Sequence, residues 1–142
     1  MVLQLNTGVW ASELSWSITD SSGNLIDSTS QTYADSTTYY DTICLINGCY
    51  NFNMFDTYGD GWQGGSYQLS DSLGNIVSSG NLQGSFSFGS NMFSINSTSC
   101  PVLGCTLPSA VNYNPIATVD DSSCQIISDN INLLFNWSDS TL

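Results

Sequence analysis

Asp56 and Asp60 stand four residues apart in Asp56-Thr57-Tyr58-Gly59-Asp60-Gly61-Trp62, which follows an alternating stretch carrying Phe52 and Met54. Two Gly hinges let such a segment fold back on one point and present carboxylate and carbonyl oxygens to a hard cation. Ca2+ takes about 6–8 such oxygens. Glu13, the only Glu, lies at the equivalent strand entrance of an earlier, similar stretch. It reaches the loop if the two stretches pack about a pseudo-twofold axis. Asp56, Asp60 and Glu13 are therefore the expected ligands of a Ca2+ ion, although the spacing is not that of an EF-hand. The competing reading is that Asp56 and Asp60 cap turns.

Catalysis is disfavoured by what the chain lacks. Among 142 residues there is no Lys, Arg or His, so no such side chain can act as general base, activate a Ser or clamp an oxyanion. A carboxylate pair could act as in a glycosidase, but the sequence singles out no pair for that work. The expectation is a protein that is not an enzyme. Eleven Asp and one Glu give a formal charge of −12. Nucleic acid and anionic membrane surfaces are excluded as partners, because phosphate neutralisation needs Lys and Arg. Salt bridges between side chains are impossible, so clustered carboxylates must be hydrogen-bonded, solvated or neutralised by a bound cation.

Positioning these residues falls to strands. Ser (25), Thr (12) and Asn (14) supply the polarity, which suits strands and turns more than helices. Ser15–Ile26 aligns with Ser66–Val77 at a constant offset of 51, an internal repeat. In each copy an alternating strand (Trp16, Ile18; Tyr67, Leu69) runs into Asp-x-x-Gly, a type I turn followed by a left-handed Gly, so each copy is a β-hairpin. Upstream, Leu3 and Leu5, and Tyr50, Phe52 and Met54, alternate with polar residues as strands with one buried face. Further strands are expected near 38–46, 84–88 and 92–96. The fold class is all-β: an antiparallel β-sandwich of about eight strands, pseudo-duplicated.

After Ile95 the texture changes. The chain divides into a sandwich over 1–97, a Pro/Asn/Asp-rich loop module over 98–125 and a tail over 126–142. In the tail, Ile131, Leu133, Phe135 and Trp137 share one face at period two, a strand with no hairpin partner in sequence. No run of apolar residues is long enough to span a membrane as a helix. Met1 to Asn6 lacks the features of a signal peptide, so a secreted form would be a processed one.

Five Cys in a small chain read as disulfides in an oxidising, extracellular or cell-surface setting. Cys44 and Cys49 flank four residues. A four-residue hairpin loop sets them opposite each other for a bridge, which is the favoured reading. A two-residue turn at Asn47-Gly48 would instead leave them diagonal at about 7–8 Å. Cys100 is then the leftover thiol. Asn96-Ser97-Thr98 and Asn136-Trp137-Ser138 match the N-glycosylation pattern, making Asn96 and Asn136 candidate acceptors.

Two stretches resemble known modules. Ser12–Trp16, Asp56–Trp62 and Gly65-Ser66-Tyr67 together resemble a β-sandwich module of secreted and cell-surface proteins of environmental bacteria. Gly104–Cys124 is similar to a short repeat, GCTDPSAxNYNPxATxDDGSC, that often accompanies it. The resemblance implies a Cys105–Cys124 bridge and a non-catalytic, extracellular adhesion or structural role. It also makes Asp120 and Asp121 candidate metal ligands, although Leu107 stands where the repeat usually has Asp and Ser122 where it has Gly.

The leading functional expectation is a subunit of an extracellular fibre, a homo-oligomer in which residues 131–137 of one copy add a strand to the next. The N-terminal strand Val2 to Asn6 is the second candidate donor. Against donation stands a tail that closes its own sandwich or begins a further domain. The alternative function is a carbohydrate-binding module, with Trp10, Trp62 and the cluster Tyr33, Tyr39 and Tyr40 offering rings to glycans, against the more common reading that such aromatics finish the sandwich core or its rim.

Overall fold

A computed structural model of the chain describes residues 1–96 and 100–126. The period-two stretches form the strands β1 (Val2–Asn6), β2 (Leu14–Asp20), β3 (Leu25–Ser28), β4 (Thr38–Thr42), β5 (Gly48–Asp56), β6 (Ser66–Ser70), β7 (Ile76–Gly80) and β8 (Phe88–Ile95). They build two antiparallel four-stranded sheets, ordered β4-β1-β6-β7 and β3-β2-β5-β8. The sheets pack over Leu3, Leu5, Trp16, Ile18, Phe52, Met54, Tyr67 and Leu69.

Both predicted hairpins form, and with matching turn chemistry. The Asp20 carboxylate accepts from the Ser22 and Asn24 amides and the Asn24 side chain, and Asp71 accepts likewise from Leu73 and Asn75. Gly23 and Gly74 take the left-handed positions at φ 84° and 85°. These bonds favour the ionised form, so both carboxyls are held below their ordinary value, the Asn side chains contributing most. Register shifts fall at Ile18/Thr19 and at Leu69/Ser70, again 51 apart.

The repeats are interlocked. β1 pairs with β6 of the second repeat, and β5 pairs with β2 of the first. Each sheet therefore takes its outer pair from one repeat and its hairpin from the other, the arrangement of a pseudo-twofold axis. β1 is paired on both sides, by β4 and β6, which removes Val2–Asn6 as a donor strand.

Two expectations are corrected. The strands expected near 84–88 and 92–96 are one strand, Phe88–Ile95. Residues 81–87 instead cover the core, with the Trp62 amide bonded to the Leu82 carbonyl and Leu82 buried. Cys44 does not pair with Cys49. Cys49 is bonded to Cys100, with Cα atoms 5.5 Å apart, and Cys44 is an exposed free thiol. β4 and β5 belong to different sheets, so residues 43–47 cross between sheets and no hairpin sets the two cysteines opposite each other. Cys100, expected as the leftover, is the partner.

The chain falls into two compact units, Met1–Cys100 and Pro101–Leu142, so the first unit runs three residues past the expected boundary at 97, to the cysteine that ties it to β5. In the second, Cys105 is bonded to Cys124 and buried. Short strands β9 (Leu103–Gly104) and β10 (Val119–Asp120) pair in parallel there. Among the described residues no helix is long and apolar enough to cross a membrane.

Candidate functional site

β2 and β5 pair antiparallel with Leu14 opposite Asp56. The turn before β2 therefore lies beside the loop after β5. A single 3-10 turn, Ala11–Glu13, leads into β2, and the Glu13 carbonyl accepts from the Thr57 amide at 3.1 Å and hydroxyl at 3.2 Å. This sets Glu13 against the Asp56–Trp62 loop. One carboxylate oxygen from each of Glu13, Asp56 and Asp60 can be chosen so that all three lie within 4.8 Å of one another.

Asp56 is the anchor of the loop, only 4% exposed. Its Oδ2 accepts the Asp60 amide at 2.7 Å and the Gly61 amide at 3.0 Å. One oxygen thus caps the turn and the other remains for a ligand, so turn capping and cation binding are compatible. Gly61 has φ 86°, and a Cβ there would stand 2.7 Å from the Leu82 carbonyl oxygen, so glycine is required by backbone and space together. Trp62 then turns inward, 2% exposed, and donates its indole N–H to the Phe55 carbonyl at 2.9 Å.

Glu13 titrates above its ordinary value. Desolvation at its half-buried position is the main cause, followed by the charges of Asp60, Asp56 and Asp35. Asp35 is held nearby by accepting the Ala11 amide at 2.8 Å.

A cleft of about 340 Å³ opens over this cluster, lined by Trp10, Glu13, Tyr58 and Asp60. Trp10 is 64% exposed and Tyr58 79%. Trp10 holds a left-handed backbone at φ 61°, unusual for a bulky residue. Composition and spacing did not single out Tyr58, because an aromatic in a loop looks the same whether it packs or protrudes.

The other candidates are placed differently. Of the aromatics considered for glycans, Trp62 and Tyr33 belong to the core, Tyr33 accepting the Trp16 indole N–H at 2.9 Å, and Tyr40 is exposed. Asp120 and Asp121 are exposed and accept the Ser122 and Ser123 amides as turn caps. Among the described residues neither joins a group of three metal-ligating side chains. Asn96 is exposed at the end of β8, its amide donating to Asn47 Oδ1 at 2.9 Å. Asn136 and the row Ile131, Leu133, Phe135 and Trp137 lie outside the described residues. A comparison of the chain with protein-family models, curated proteins and solved structures finds no match.

Proposed function

We propose that the chain is a non-enzymatic structural protein of the cell exterior, a subunit of a surface fibre built by strand addition, with Ca2+ held by Glu13, Asp56 and Asp60. One observation carries the fibre reading. The described residues 1–96 already supply four strands to each sheet, and the sequence of residues 131–137 alternates at period two as a further strand would. Among the described residues each sheet ends in edge strands of the kind that can take another. Two disulfides in a chain of this size support an oxidising location. Asn96 and Asn136 are the proposed glycosylation sites on that exterior.

Deletion of residues 126–142 tests it. The expected result is loss of polymers with a folded monomer by circular dichroism. A monomer that unfolds would mean that the tail closes its own domain.

Calcium bound at the triad is expected to raise the melting temperature. A ligand at about 100 times its Kd adds about 2.7 kcal/mol. Because the Glu13 pKa is raised, this group favours the metal-free fold at low pH and that contribution is lost as pH rises through its folded value. Ca2+ needs the ionised form, so the calcium-induced shift in melting temperature should shrink as pH falls through the same range. Asp60→Asn should reduce it, and an unchanged melting temperature on calcium titration would remove the ion from the proposal.

A second reading, a carbohydrate-binding or adhesion module of a larger secreted protein, is favoured by the exposure of Trp10 and Tyr58 beside two carboxylates. Retention on immobilised glycans that Tyr58→Ala abolishes in a folded monomer would decide for it.

A further inference from the structure

The pseudo-twofold axis makes two equivalent sides of the sandwich, and only one of them is guarded by charge. On the first side the edges are β3 and β4. Asp27 in β3 stands opposite Ile18, and Asp41 in β4 stands opposite Leu3. Directly opposed residues of an antiparallel pair project to the same face. Ile18 and Leu3 are core residues, so both carboxylates are on the core-facing side of an edge strand. Asp41 accordingly lines a cavity of about 220 Å³ with Leu3, Leu5, Tyr33 and Tyr39. Inward-pointing charge at an edge opposes strand addition, because an added strand would bury it unpaired.

On the second side, β7 and β8, the corresponding positions are neutral. Ser78 stands opposite Leu69, and Asn91 stands opposite Phe52. Both are satisfied through one hydroxyl: Tyr67 Oη lies 2.8 Å from Ser78 Oγ and accepts from Asn91 Nδ2 at 2.9 Å. Neither of these core-facing positions carries a charge for an added strand to bury.

Length distinguishes the two neutral edges. β7 has five residues, whereas β8 has eight and is the longest edge strand. Among the described residues β8 pairs only with β5. Towards its end the Cys49–Cys100 bridge brings Cys100 Sγ to 3.7 Å from the Phe93 carbonyl, which limits the open stretch to Phe88–Met92. Phe88, Ser90 and Met92 are exposed along it. Neither Phe88–Ile95 nor residues 131–137 contain a carboxylate. For two copies each carrying −12, contact through segments that carry no charge themselves places no carboxylate within the added strand or the edge it joins.

We propose that the β8 edge, over Phe88–Met92, is the acceptor for residues 131–137 of a second copy of this chain. This rests on the strand-addition reading above and names its docking edge. Hydrogen–deuterium exchange of the full chain, assembled and dispersed, tests it. Amides within 88–92 are expected to exchange at least about tenfold more slowly in the assembly, while those of β3 and β4 change little. Asn91→Asp, which places at β8 the carboxylate that Asp41 places at β4, should abolish assembly and leave a folded monomer. If that variant does not fold, the exchange pattern of the unaltered chain decides. Protection at a different edge would overturn the assignment of β8 alone, and protection in the monomer of those amides of 88–92 that β5 does not bond would give the edge to the chain's own tail. A chain that forms no polymer would overturn the strand-addition reading and this inference with it.

Discussion

Replacing Cys49 and Cys100 together by serine is expected to lower the unfolding free energy of the sandwich by about 4 kcal/mol, the chain-entropy value for a loop of this length. The bridge joins residues 51 apart and encloses most of β5 with β6, β7 and β8, so its loss frees half of the duplicated fold in the unfolded state. With no side-chain salt bridges, the bridge adds a covalent tie to those that the strand ladders and the core already make. Urea denaturation of the double variant under non-reducing conditions measures the effect. A change below about 1 kcal/mol would mean that the cross-link constrains little that packing does not already hold. Cys44→Ser, at the exposed free thiol, is the control and should leave stability within about 0.5 kcal/mol.

Phe52→Ala should cost about 3–5 kcal/mol, the range for removing a large aromatic from a core. Phe52 is fully buried at the centre of β5. Its ring stacks on Tyr67 of the opposite sheet at 3.7 Å between centroids and on Trp16 of the neighbouring strand at 5.6 Å. Truncation would open a cavity where the two repeats meet and remove the ring that joins the sheets. At roughly 3 °C per kcal/mol for a chain of this length, the melting temperature should fall by about 10 °C or more. Phe55→Ala, three residues on and partly exposed against Phe88, should cost far less. Equal costs at the two positions would contradict the assigned inner and outer faces of β5.

What was legible in the sequence is what local physics controls. Alternation at period two marked the inner faces of β1, β2, β5 and β6, and Asp-x-x-Gly marked both hairpin turns, because turn chemistry involves only neighbours in the chain. The approach of Glu13 to Asp56 and Asp60 was legible only through the repeat, since a pseudo-twofold axis was the one device that could join residues 43 apart. The partner of Cys49 was not legible. A five-residue spacing suggests a hairpin, but residues 43–47 pass from one sheet to the other, and that choice depends on the pairing of β4 with β1 and of β5 with β2. Trp62 was left between core and glycan-facing readings for a related reason. A Trp after a Gly-rich turn suits exposure or burial equally, and the left-handed Gly61 packed under Leu82 is what sends it inward. The edges show the same divide: Asp27 and Asp41 read as ordinary surface acids until strand register puts them opposite Ile18 and Leu3.

Electron microscopy of the native, assembled material tests the central claim most directly. Strand addition between copies predicts filaments of regular repeat whose map shows an extra strand, traceable to residues 131–137 of a neighbouring copy, along an open sheet edge. Isolated particles of single-chain mass, or filaments joined with no strand exchanged between copies, would contradict it.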